Sequence, residues 1–429
     1  MDFDTDLTAV WLVLCAAILV HGWMLRRMAI GLIDPIVYVG LGSIAAVAMS
    51  FALSGMSLEF VRVIACIVTF WVGVRLTWPG PAAQPAPAAA SELHQAQFTR
   101  IVMIGTLLFV LANLFFFAVV GPPALSADPS LAKTESYAGG FGWLRRLDWG
   151  LGTFDIVGLT YLLFTRRPRW AMLGYAAYVA ISGLSGSKSA LVPMLFAFAL
   201  LGSRADLQRA DARKSRWKKW LLPALAIAAV SVSLGVLVIE QGDFVGALLA
   251  FGVRLLYSSD VLIYWETPQV QHAFASLDFS DYLANLLAPV LGALRLVDYG
   301  IPYGGRMVQL SLGASDDVSE SLGPNVPFYV SGEMYFGVGQ YLYCCVIGMG
   351  IGWLRSRFVR AASARPLGLC MATTFVLLSP ALAIDEALFM SQTMDLMLGF
   401  AIVYLAASAW PLMRSSDRAW RDRIAVRGP

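Results

Sequence analysis

The sequence predicts an all-α polytopic membrane protein with about eleven transmembrane helices, a periplasmic N-terminus, a cytoplasmic C-terminus and one large periplasmic loop. Three observations point there. Hydrophobic residues make up 58% of the chain and charged residues only 14%, so no part of it composes like a sizeable soluble domain. Apolar stretches of about 20 residues, the length that crosses a bilayer, recur from one end to the other. The arginines cluster after every second stretch, as the positive-inside bias of membrane proteins demands. The chain therefore reads as a single integral membrane domain over residues 1–429.

The first stretch, Leu7 to Met24, is preceded by Asp2, Asp4 and Asp6 and followed by Arg26 and Arg27. That charge order is the reverse of a signal peptide's, so it reads as a retained helix. The second and third stretches are Ile33 to Leu53 and Phe60 to Val74, the latter closed by Arg75. Residues 78–100 contain PGPAAQPAPAAA, a Pro/Ala linker that cannot be a continuous helix and falls on the cytoplasmic side. The fourth stretch, Ile101 to Val120, leads into a polar periplasmic loop over 121–148. The fifth, Leu151 to Phe164, ends on Arg166, Arg167 and Arg169.

The sixth and seventh, Ala171 to Leu184 and Ala190 to Leu201, are joined by SGSKS, in which Ser185 or Ser187 is placed to cap the seventh helix. Residues 203–219 form a basic cytoplasmic loop carrying seven Arg and Lys residues, Arg204 among them. The eighth stretch, Leu221 to Ile239, opens the large periplasmic loop over 240–330. Within that loop, Val245 to Trp265 and Tyr282 to Val297 are apolar enough to enter the bilayer. A single extra crossing would turn Arg355 to Arg365 outward, so both are expected as a pair of re-entrant or interfacial helices. The ninth, tenth and eleventh stretches are Tyr335 to Leu354, Leu367 to Ile384 and Met394 to Pro411, with arginine clusters after the ninth and the eleventh.

Composition limits the chemistry. The five cysteines all fall inside apolar stretches, and the three histidines (His21, His94, His272) have no metal-ligand spacing, so no metal or other cofactor is expected. A net charge of +3 predicts no nucleic-acid partner. An excess of Arg over Lys and abundant Ala suit a GC-rich bacterial genome.

Three groups of residues carry candidate chemistry. In SGSKS, a helix N-terminus beside Lys188 suits a phosphate, although a tight hairpin with a snorkelling lysine gives the same pattern. The large loop holds Arg254, Arg295 and Arg306 among Tyr257, Tyr264, Trp265, Tyr282, Tyr299 and Tyr303. Arginine on that side of a membrane runs against the orientation bias and calls for an anionic partner. Either a lipid-linked diphosphate or nearby Asp260, Asp278, Asp281 and Asp298 can supply one. The stretch GPNVPFYVSGEMYFGVG, Gly323 to Gly339, passes through a turn at Asn325 into a helix expected to begin near Ser331. It carries Glu333 near the water boundary, with Gly337 and Gln340 expected on the same helix face. A carboxylate there is a candidate general base; the alternative is a structural partner for an outer arginine. Asp155, Asp385, Glu386 and Asp395 are further carboxylates in or near the spans.

This stretch, preceded by an arginine-bearing outer loop and by SGSKS, resembles the Wzy-type oligosaccharide repeat-unit polymerases, and among them the polymerases of xanthan-like exopolysaccharide loci. The resemblance implies a GT-C-like scaffold in the bacterial inner membrane and a metal-independent glycosyl transfer with polyprenyl diphosphate as leaving group. Its substrate would be a polyprenyl-diphosphate-linked oligosaccharide, with membrane lipid, a flippase and a chain-length co-polymerase as partners. It implies Glu333 as the catalytic base and Lys188, Arg254, Arg295, Arg306, Tyr303, Asn325 and Tyr335 as substrate-binding residues. An O-antigen-ligase-like glycosyltransferase and a flippase or transporter of lipid-linked sugars are the alternatives.

Overall fold

The computed structural model describes residues 7–78, 80, 92–126, 132, 142–165, 169–186, 191–204, 207, 216–248, 259–297, 302–313, 324–361 and 365–425. Among the described residues the regular structure is helical. The elements that position the site are α1 (Leu7–Met28), α2 (Pro35–Ser54), α3 (Leu58–Thr77), α4 (Glu92–Val119), α5 (Gly142–Thr165), α6 (Arg169–Leu184), α7 (Val192–Gly202) and α8 (Arg216–Gln241). They are followed by α9 (Val261–Trp265), α10 (Pro268–Phe274), α11 (Phe279–Ala293), α12 (Tyr303–Leu312), α13 (Phe328–Phe336), α14 (Gln340–Arg360), α15 (Pro366–Ile384) and α16 (Glu386–Ala425). Seven segments are long and apolar enough to cross a membrane, those of α1, α2, α3 and α4, the stretch that holds α14, and those of α15 and α16, as in a polytopic membrane protein. Leu12, Leu19, Leu107 and Leu405 point outward. A soluble protein rarely leaves so much apolar surface uncovered.

Helices in lipid gain little from apolar burial against one another, so close backbone approach matters more. Among the described residues α3 and α14, which run parallel, make the most extensive helix pairing. A methyl group on Gly73 would collide with the Cys345 carbonyl, and one on Gly348 with the Phe70 carbonyl. Thr77 Oγ1 donates to the Met349 carbonyl at 2.8 Å and reinforces the seam. A second parallel pair, α5 and α16, is joined by Arg146 and Asp395 at 2.8 Å and by the edge-to-face rings of Phe154 and Phe400. Antiparallel α4 packs on α5 through Phe98 and Tyr161 near one end, and near the other Asn113 donates to Asp148 at 2.9 Å.

These directions give the bundle two poles. Arg26, Arg27, Arg75, Arg357 and Arg360 lie in the last turns of α1, α3 and α14, at the arginine pole. Two arginines there are not solvated markers of orientation as the sequence reading takes them. Arg355 is fully buried and grips Asp34, the N-cap of α2, through both oxygens at 2.7 and 2.8 Å. Its second Nη also donates to the Met28 carbonyl at 3.1 Å, and its guanidinium lies 4.9 Å from the Trp78 ring centre. Arg204 is buried too, donating to the carbonyls of Phe358 at 2.9 Å and Ala361 at 2.7 Å, where it satisfies the last turn of α14.

Other expected boundaries shift. Helix α4 begins at Glu92, so the Pro/Ala linker stops short of Arg100. Helix α5 begins at Gly142, which makes the end of the expected 121–148 loop helical. Ser185 does not cap the seventh stretch: its amide and hydroxyl bond back to Ile181 and Ser182 at the end of α6, and the N-cap of α7 is Leu191. The segment from 245 to 265 ends in the short α9, its residues 249–258 lying outside those described. Helix α12 has no counterpart among the expected elements.

Candidate functional site

The largest departure from the expected pattern is at Gly323 to Gly339. The helix begins at Phe328, with Pro327 as its N-cap, and it does not continue into the ninth span. Gly337, at φ 50°, ends it in a backbone region that residues with a Cβ rarely adopt. A single 3-10 turn, Gly337–Gly339, then reverses the chain into α14. The two helices lie against each other as a hairpin. Phe336 stacks on Tyr343 at 4.7 Å, and the Cys344 thiol reaches the Phe328 carbonyl at 3.7 Å. The start of α13 is therefore level with the second turn of α14, and its end is at the exposed Gly337–Gly339 rim. Gly337 and Gln340 thus do not share a helix face with Glu333; Gln340 is buried and accepts from Cys66 at 3.5 Å.

Glu333 projects from this hairpin at the pole opposite Arg355. One oxygen forms an ion pair with Arg62 Nη1 from the second turn of α3. The other accepts from Trp265 Nε1 at 2.6 Å. About a fifth of each side chain of the ion pair remains exposed, so the carboxylate is gripped but still reachable. Two more carboxylates share this arginine's field, Glu59 one turn earlier on α3 and Glu266 directly after Trp265. Burial pushes Glu266 up to about 7, helped by the negative charges of Glu59 and Glu333 and opposed by Arg62.

A continuous run of aromatic rings leads away from Trp265. Trp265 meets Phe274 at 6.4 Å, Phe274 meets Tyr303 at 5.7 Å, and Tyr303 meets Tyr335 edge-on at 5.9 Å. Tyr282 on α11 then contacts Tyr335, Phe336 and Tyr343 at 5.5, 5.1 and 5.6 Å. The run ends at a buried carboxylate, Glu386, the first residue of α16. It is held by a short bond from the Tyr343 hydroxyl and by Ser331 at 3.4 Å. Burial, with Glu386 close by, pushes the Tyr282 hydroxyl up from its ordinary value. Asp385 caps the same helix start through the Leu388 amide at 2.9 Å, and Asp395 is taken by Arg146.

The structure brings some of the expected residues together and leaves others apart. Tyr303 and Tyr335 belong to the aromatic run, and Tyr335 is buried in it. Arg306 is exposed on α12, its guanidinium 5.8 Å from the Phe274 ring centre. Asn325 is exposed ahead of α13. Arg295 is exposed after α11 in the left-handed region at φ 57°. Lys188, Arg254, Tyr257 and Tyr299 lie outside the described residues. Arg62, Glu59 and Glu266 were not foreseen, although Arg62 had a signal: a cation inside an apolar span needs a partner. Among the described residues no three His, Cys, Asp or Glu side chains converge as metal ligands, and the carboxylates here gather around Arg62. A cavity of about 410 Å³ lined by His94, Phe98, Ile101, Arg365 and Leu367 lies far from these groups, at the arginine pole.

No family model, curated protein or solved structure matches the chain.

Proposed function

We propose that the chain is a membrane glycosyltransferase that polymerises polyprenyl-diphosphate-linked oligosaccharide repeat units at the periplasmic face of a bacterial inner membrane. The observation that carries this reading is the Arg62–Glu333–Trp265 cluster, its ion pair partly exposed, at the head of a run of aromatic rings of which Tyr282, Tyr303 and Phe336 are partly exposed. Sugars bind through hydroxyl contacts to carboxylates and through stacking on aromatic faces, and both lie along one line here. The four remaining long or apolar helices, α5 to α8, complete about eleven crossings on this reading. The arginine pole then faces the cytoplasm and the carboxylate pole the periplasm.

In the proposed transfer, Glu333 accepts a hydrogen bond from a hydroxyl of the acceptor sugar beside the attacking one and so aims the attacking oxygen at the anomeric carbon of the donor, while Arg62 and Trp265 hold the carboxylate still. Positioning of this kind supplies a large part of a transfer barrier. The departing diphosphate needs cations, and Arg306 is the described arginine best placed for it, with Lys188, Arg254 and Arg295 as further candidates. The test is the lipid-linked glycan profile of cells lacking the protein or carrying Glu333→Gln. Single repeat units on lipid are the expected result. Long unattached polymer would make the protein a ligase, and units trapped on the cytoplasmic face a flippase.

A further inference from the structure

The cluster holds one arginine and three carboxylates, and its donors are unevenly shared. Glu333 takes the ion pair with Arg62 on one oxygen and the indole N–H of Trp265 on the other. Glu266, the next residue after Trp265, receives no hydrogen bond or ion pair from the described residues; of its charged neighbours Glu59 and Glu333 are negative and Arg62, already engaged by Glu333, is positive. From this division of donors we propose that Glu266 is the group that takes the acceptor's proton, while Glu333 orients the acceptor. This rests on the glycosyl-transfer reading above.

The step balances. The acceptor O–H bond breaks as its oxygen bonds to the anomeric carbon, and the bond from that carbon to the diphosphate breaks. The electron pair leaves with the diphosphate, and the proton ends on the Glu266 carboxylate, which is partly exposed and returns it to water. A group exchanging protons near neutrality is matched to that task, and Glu266 is pushed up to about 7. Asp260, at the N-cap of α9 itself, is raised to about 6 and is the nearest rival, so Asp260→Asn serves as its control; the other elements packed against α9 carry few rivals. Helices α10 and α12 bring His272, Tyr303 and Arg306 to the same pole, none of them bonded to Glu266, and Tyr38 of α2 lies in the first turns at the opposite pole.

The experiment uses the full chain in lipid nanodiscs, as wild type, Asp260→Asn, Glu266→Gln, Glu266→Asp and Glu333→Gln. Infrared difference spectra across neutral pH follow the carboxyl band, and turnover of a polyprenyl-diphosphate-linked repeat unit is followed over the same range. The expected result is a carboxyl titrating near neutrality that is kept in Asp260→Asn, Glu266→Asp and Glu333→Gln and lost in Glu266→Gln. The wild-type kcat rises with pH through that range. Glu266→Gln lowers kcat by on the order of 10²–10⁴-fold with little change in KM and removes the acid limb, which Glu266→Asp retains. The same titration persisting in Glu266→Gln overturns the assignment. Loss of the titration with turnover and its acid limb unchanged overturns the proton-accepting role. A Glu266 titration in a wild-type protein that transfers no sugar overturns the glycosyl-transfer premise instead, and the infrared result tells the two failures apart.

Discussion

Arg62 and Glu333 form an ion pair that ties the second turn of α3 to the short helix α13, joining two parts of the chain that no local sequence pattern connects. Each side chain is about one-fifth exposed, so the pair is neither a solvated surface contact nor a dry one. Arg62→Ala leaves Glu333 with Trp265 as its remaining donor, and the expected loss of stability is about 1–3 kcal/mol. Adding Glu333→Gln to that variant removes the uncompensated charge, so the double variant should lose less than the sum of the two singles. Thermal unfolding of the four proteins in one detergent measures the coupling, and strictly additive losses would show the pair to be energetically idle.

Two carboxylates at this pole set a pH dependence of stability. Burial raises Asp260 from 3.8 to about 6 and Glu266 from 4.5 to about 7. Between the ordinary and the raised values the folded protein holds protons that the unfolded chain has released. Stability therefore falls as pH rises from about 4 to about 7, then levels off. Both groups are partly exposed, so solvent reduces the amplitude. Melting temperatures measured across this range should decline in the wild type, and the decline should flatten in an Asp260→Asn, Glu266→Gln double variant. An unchanged slope in that variant would assign the effect to other groups.

The parallel contact of α3 with α14 sets the position of the site from a distance. Gly348 lies against the Phe70 carbonyl, and the Phe70 ring stacks at 4.3 Å on Phe328 at the start of α13. A methyl at Gly348 must push α14 off α3 and disturb the seat of the helix that carries Glu333. Gly348→Ala should cost about 1–3 kcal/mol in thermal unfolding and reduce polymer yield. Gly350 offers the control on the same helix. A methyl there meets only the Leu382 side chain at 3.2 Å, which can shift, so Gly350→Ala should cost less than half as much. Equal effects at the two positions would mean that the close approach is unimportant.

What the sequence made legible follows from what hydropathy averages. Apolar stretches and their flanking arginines are sums over many residues, so every expected span has a helix within a few residues of it. Single charges disappear in such sums, and Arg62, inside the stretch Phe60 to Val74, went unread although it holds Glu333. Arg204 and Arg355 were counted as orientation markers because composition does not distinguish an arginine in water from one gripping Asp34 or a helix end. Glu333 stood out because it lies at the edge of an apolar segment. Its geometry did not, because the pattern assumed an unbroken helix and Gly337 bends the chain back through a positive φ. The aromatic run from Trp265 to Tyr343 joins α9 to α14 through rings far apart in the chain, and no periodicity within one helix encodes it.

Arg306 separates the diphosphate part of the proposal from the sugar part. It is exposed at the carboxylate pole, it lies over Phe274 at 5.8 Å, and no described carboxylate pairs with it. Removing it should therefore leave the fold intact, with Arg306→Ala within about 0.5 kcal/mol of wild type in thermal unfolding. If its guanidinium grips the donor diphosphate, the same variant should raise KM for the lipid-linked donor by about tenfold or more, equivalent to roughly 1.4 kcal/mol of lost binding. Arg306→Lys keeps the charge but not the two-pronged geometry, so it should recover only part of that loss. Raising the salt concentration should weaken donor use in the wild type more than in Arg306→Ala, because an exposed charge pair is screened. Turnover with purified lipid-linked repeat unit at two salt concentrations reads all of these, and an unchanged KM in Arg306→Ala would remove this arginine from the diphosphate site.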